Sequence, residues 1–77
     1  MQNYYFNKLL DLLISEGAVD WIKFDQMAGD VLKEAGYQES DLENMSVGDV
    51  KERIEEMFKM KLEDEGDDVL LVEYINE

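Results

Sequence analysis

The sequence predicts an α+β fold, mostly α, with three helices and a C-terminal β-hairpin, and three observations carry that expectation. Apolar residues recur at helical spacing through the first half of the chain. Capping residues and glycines stand where helices should start and stop. The end of the chain, "FKMKLEDEGDDVLLVEYINE", alternates, turns at an acidic stretch containing glycine and closes on a branched and aromatic run. That pattern describes two strands and a tight connection. An all-α bundle is the alternative.

The first helix is the plainest. Tyr5, Phe6, Leu9, Leu10, Leu12 and Leu13 fall at helical spacing, and Gly17 offers a left-handed stop, so the helix covers about residues 3 to 16. The next segment, "GAVDWIKFDQMAGDVLKEAGY", supports two readings at its start. In one, Asp20 caps a long helix, Val19 and Phe24 form a hydrophobic staple, and Trp21, Phe24, Ala28, Val31, Leu32 and Ala35 make the apolar face. In the other, "VDWIKF" is a short strand and Asp25 caps a shorter helix. A helix over about residues 25 to 35 is favoured, with residues 20 to 24 open between strand and helix. Both readings end alike: Gly36 stops the helix and Tyr37 folds back on it.

The polar stretch "QESDLENMS" holds two capping boxes, Ser40 with Glu43 and Ser46 with Asp49, so a short helical turn precedes a third helix from Val47. Val50, Ile54, Met57 and Phe58 form its buried stripe. Asp49 with Arg53 and Glu55 with Lys59 are acid-before-base pairs four apart. The end of this helix is left open by the sequence, because "FKMKLED" already alternates as a strand does. The expected hairpin sets Phe58 to Asp64 against Asp68 to Ile75, with "EGDD" at the turn. No proline, repeat or linker divides residues 1–77, which read as a single small acidic domain.

Composition narrows function. Seventy-seven residues with 45% apolar content suffice for one small core, and neither cysteine nor histidine occurs. Thiolate chemistry, zinc–thiolate sites and histidine bases are therefore impossible, and an enzyme is not expected. Paired carboxylates could act as acid and base only with one held in an apolar pocket, which a solvated run such as 63–68 does not offer. The run also lacks the ligand spacing of a calcium loop. No cofactor and no metal are called for. Trp21, Tyr4, Tyr5 and Phe6 read as core rather than as a platform for stacking bases. No apolar stretch is long enough to span a membrane and the start lacks a basic head, so a cytoplasmic protein without membrane contact is expected.

Charge is the dominant anomaly. Residues 1–38 carry six acids against three bases and residues 39–77 fourteen against four, so the halves stand at −3 and −10 of the total −13. Five carboxylates fall in the six positions of "EDEGDD". Such a chain repels nucleic acid and anionic lipid and attracts basic surfaces. The expected partner is a basic protein surface, such as that of a nucleic-acid enzyme, and direct nucleic-acid binding is not expected. The residues assigned to that contact are Asp41, Glu43, Glu52, Glu55, Glu56, Glu63, Asp64, Glu65, Asp67 and Asp68. The competing reading is a regulatory or structural module whose apolar strand, residues 69–75, pairs edge to edge in a homodimer.

Three resemblances bear on this. Helix, optional short strand, helix, helix and terminal hairpin is the order of a winged-helix domain, and the chain resembles that pattern. Nucleic-acid-binding winged helices are basic in the third helix and wing, where this chain carries Glu52, Glu55, Glu56 and the acids from Glu63 to Asp68. "DLENMS" followed by "IEEMFKMKLEDE" and "VEYIN" resembles the helix after the carrier serine of acyl carrier proteins, which implies Ser46 as the site of a phosphopantetheine arm. Helix capping explains Ser46 without such an arm. In size, charge and lack of cysteine the chain is also similar to phage-encoded inhibitors, including anti-CRISPR and anti-restriction proteins, and that resemblance implies nucleic-acid mimicry. Carboxylates three or four apart on a helix lie roughly 5–6 Å apart, while phosphates along one DNA strand rise about 3.4 Å each. The charge density is comparable, the geometry is not.

Overall fold

The computed structural model describes residues 3–75. Its first helix, α1 (Tyr4–Glu16), starts because the Asn3 side chain accepts the Phe6 N–H through Oδ1 at 2.8 Å. The same buried Asn3 donates through Nδ2 to the Val31 carbonyl at 3.0 Å. One side chain thus caps a helix and ties it to the next. At the other end Gly17 takes φ 81° and donates to the Leu13 carbonyl at 3.0 Å, the left-handed stop the sequence predicts.

Both readings of residues 19–24 hold in part. Val19 and Asp20 form a two-residue strand, β1, and helix α2 (Trp21–Glu34) continues from it without a break. The helix therefore begins at Trp21, and the favoured start near residue 25 is too late. Asp20 is the cap: its Oδ1 accepts from Ile22 N–H at 2.8 Å and Lys23 N–H at 3.4 Å, while the Trp21 N–H goes to the Asp67 carbonyl at 2.9 Å. With the first-turn amides satisfied there, Asp25 lies inside the helix and caps nothing. Val19 and Phe24, the expected staple, are both buried. At the C-terminus the Tyr37 N–H reaches the Leu32 carbonyl and the Gly36 N–H the Lys33 carbonyl, each at 3.0 Å, with Gly36 at φ 111°. This double bond pattern folds Tyr37 back on the helix.

The short helix α3 (Glu39–Glu43) is capped differently from expectation. Asp41 accepts the Gln38 N–H at 3.0 Å, whereas Ser40 only lends its carbonyl to Asn44 Nδ2. The Ser40 and Glu43 box does not form because the helix starts earlier, at Glu39. The Ser46 and Asp49 box does form at the head of α4 (Val47–Phe58), with reciprocal bonds of 3.1 and 3.2 Å. Neither expected ion pair appears on α4. Asp49 is spent on the box, and Lys59 lies beyond the last turn; Lys51 pairs with Glu55 and Arg53 with Glu56 instead.

Lys59 ends α4 in the left-handed region, φ 52° and ψ 52°, the one non-glycine residue with positive φ among the described residues. That conformation costs a side chain about 1–2 kcal/mol relative to the right-handed helix. Lys59→Gly is expected to raise stability by about 0.5–1 kcal/mol, the relief being partly offset by the greater freedom of glycine in the unfolded chain. Urea melts of both proteins check this. Equal midpoints would mean that the turn is not strained.

The hairpin then runs as β2 (Met60–Glu65) and β3 (Asp68–Tyr74), two residues later at its start than the expected Phe58 because the left-handed turn intervenes. Gly66, at φ 63°, opens the two-residue turn with Asp67, which stays at negative φ. Val72 has no cross-strand partner: Lys61 faces Glu73 and Leu62 faces Leu71, so β3 bulges there. Sheet order is β1-β3-β2, all antiparallel, with Val19 opposite Val69 and Asp20 opposite Asp68. An all-α bundle is thereby excluded.

The core gathers Phe6, Leu9 and Leu13 of α1, Phe24, Ala28, Val31 and Leu32 of α2, Val50 and Ile54 of α4, and Val19, Met60, Leu62 and Val69 of the sheet. Phe6 stacks on Phe58 with centroids 3.6 Å apart. Tyr4 and Tyr5, expected in the core, are 58% and 41% exposed because they sit off the stripe set by Phe6, Leu9 and Leu13. The order of elements matches the winged-helix pattern, with α3 as an added turn before the third long helix.

Candidate functional site

The hairpin tip gathers charge that the sequence shows only as a run. Glu63, Asp64, Glu65, Asp67 and Asp68 are all exposed. Register adds a sixth acid: Glu65 faces Asp68, and Asp68 faces Asp20 of β1, so one carboxylate from each strand stands in a row across the sheet. Asp20 is 48 residues from Asp68, and no local pattern in the sequence brings them together. Like charges directly opposite each other on a sheet are destabilising. Here the backbone holds them in place, through the Trp21 N–H on the Asp67 carbonyl and the β1–β3 ladder.

A second acidic face lies on α4. Glu52 and Glu56 are exposed, and Asp49, missed as a surface residue because of its capping role, precedes them at three- and seven-residue intervals on the same side. A helical count from Glu56 backwards is the signal that finds it. Glu55 belongs to neither face. It is half-buried, accepts the Leu62 N–H at 2.9 Å and pairs with Lys51, so its charge is used internally. Asp41 and Glu43 lie apart on α3; Asp41 is exposed although its carboxylate caps the helix, and Glu43 joins Glu39, Asp25 and Asp30 around an open cleft of about 540 Å³ that also holds Lys33.

Chemistry at these positions is limited. Among the described residues no group of three or more acidic side chains is arranged to hold a metal ion. Ser46, the position implied as an arm site, is exposed with its hydroxyl accepting the Asp49 N–H, and the chain beyond it forms one helix and a hairpin rather than several helices. Among the described residues no helix is long and apolar enough to cross a membrane. The apolar strand expected to mediate dimers is central in the sheet, flanked by β2 along its length and by β1 at Asp68 and Val69, so its first residues have no free edge. At α1, Lys8 lies 4.9 Å above the Tyr4 ring, and its interaction with the Tyr4 side chain raises its pKa.

Only two ion pairs form among the described residues, and both lie within α4. The tip acids have no basic partner among them. Raising salt from low ionic strength is therefore expected to raise the melting temperature, since screening weakens repulsion between charges within a Debye length of about 10 Å at 0.1 M. Calorimetry across a salt series checks this, and a flat or falling curve would mean that the acids are neutralised internally.

No protein-family model, curated protein or solved structure matches this chain.

Proposed function

We propose that this chain is a non-enzymatic binding protein whose acidic surface occupies the basic groove of a nucleic-acid-processing protein in place of nucleic acid, as a phage-type anti-CRISPR or anti-restriction inhibitor does. The observation that supports this is the hairpin tip: Asp20, Glu63, Asp64, Glu65, Asp67 and Asp68 are exposed and stand without a basic partner among the described residues. Asp20 is held by its cap on α2, but the five carboxylates from Glu63 to Asp68 repel one another and lower the stability of the domain, and a partner rich in Lys and Arg recovers that energy on binding. Asp49 and Glu52 give α4, the element that reads the groove in a nucleic-acid-binding winged helix, a second acidic face, on which Glu56 is paired with Arg53.

A module that binds through apolar contacts is the second reading, and Val72, 52% exposed at the β3 bulge, favours it. The two separate in one experiment. The chain is immobilised, partners are captured from lysate at low salt, and elution is attempted with duplex DNA and with a salt gradient. Mimicry expects release by both. Release by neither, together with loss of capture in Val72→Ser, would replace mimicry by the apolar module.

A further inference from the structure

β2 is an edge strand, and its outer edge is closed in an unusual way. The Leu62 N–H donates to Glu55 Oε2 at 2.9 Å, and Lys51 Nζ donates to the Leu62 carbonyl at 3.5 Å. The two side chains, 16% and 22% exposed for Lys51 and Glu55, are themselves paired at 3.5 Å. Both backbone groups of Leu62 that face away from β3 therefore end on α4 side chains. A further strand would place its own backbone there.

The sequence around Leu62 says which strand fits. Lys59 and Lys61 precede it, and Glu63 and Glu65 come after it. Charge is thus reversed about Leu62. An antiparallel copy of the same strand, centred on Leu62, joins the two Leu62 residues by a pair of hydrogen bonds and sets each Lys61 opposite Glu63 of the second copy. Lys61 and Glu63 are exposed, so the groups that have to move for them to meet are the Lys51 and Glu55 side chains on Leu62. Opposite charges directly across an antiparallel pair are favourable, and like charges there are not.

We infer that β2 is a latched self-pairing edge: Lys51 and Glu55 act as a surrogate strand on Leu62, and their release opens the edge to β2 of a second copy. Unpaired edges are a general route to association, and half-buried charges placed on one block it. This goes beyond the binding reading above and does not rest on it. The edge is also different from the 69–75 strand whose composition suggests dimerisation.

The test compares wild type with Lys51→Met combined with Glu55→Met, substitutions that keep helix propensity and the apolar stems. Light scattering over a concentration series is expected to show a monomer for wild type and a mass approaching twice that for the variant. Adding Lys61→Glu should return the variant to monomer, and adding Glu63→Lys as well should restore pairing. A folded variant that stays monomeric at its highest soluble concentration overturns the proposal, as does a dimer indifferent to Lys61→Glu. Should the double variant not fold, Glu55→Gln keeps an acceptor for Leu62 and loses the ion pair. The Leu62 amide is then expected to exchange about tenfold faster, since a charged acceptor has become neutral, and unchanged exchange overturns the latch.

Discussion

Combining Glu63→Gln, Asp64→Asn, Glu65→Gln, Asp67→Asn and Asp68→Asn is expected to abolish capture of a basic partner while raising the melting temperature. These five residues are exposed, contribute nothing to the core and leave Gly66 in its left-handed turn. Their amides keep shape and polarity and take the net charge from −13 to −8. Relief of repulsion along the Glu65, Asp68 and Asp20 row stabilises the free protein. Loss of steering slows association, so affinity at low salt should fall by about two orders of magnitude. The salt dependence should flatten with it. Isothermal titration against the captured partner, at several salt concentrations, reads both. Equal affinity and equal salt slope for wild type and amide variant would sink mimicry, and binding that instead depends on Val72 would point to the apolar reading.

Phe24→Ala is expected to leave the chain without a cooperative melting transition. Phe24 is fully buried, meets Trp21 edge to face at 5.9 Å and sits among residues of the core cluster. Truncating a buried phenylalanine costs about 3–5 kcal/mol, and a cysteine-free domain of this size holds only about 3–5 kcal/mol in total. Two residues earlier Ile22 is 71% exposed. Ile22→Ala should stay within about 0.5 kcal/mol of wild type. Circular dichroism melts of both separate the cases; a folded Phe24→Ala would mean that the core closes around the gap.

The same neighbours illustrate what was legible in the sequence. Helical spacing marks Phe24 as inward, and the glycine stops at Gly17 and Gly36 act through local backbone geometry that any chain must obey. The start of α2 was less legible, because Asp20 and Asp25 are equally good caps by residue type. What decides between them is the Asp67 carbonyl receiving the Trp21 N–H, a partner far along the chain. Acid–base pairing on α4 failed for a similar reason. Spacing allows Glu55 to meet Lys59, but the edge of β2 supplies Glu55 with a backbone donor, and only the folded sheet brings it there. The acidic run itself could be read directly. Its enlargement by Asp20 could not, since register between distant strands leaves no periodic trace.

Asp20 carries one more consequence. It closes β1, caps α2 and stands beside Asp68, while the neighbouring Trp21 N–H holds the Asp67 carbonyl at the turn. The hairpin tip is thus fastened to the base of a core helix. A charged surface mounted this way needs little ordering when it docks, so the entropy that a mobile loop would lose on contact has already been spent in folding. On the proposed mimicry, its carboxylates would meet a partner at set spacings, and selectivity among basic grooves would rest on the spacing of their cations as well as on their number.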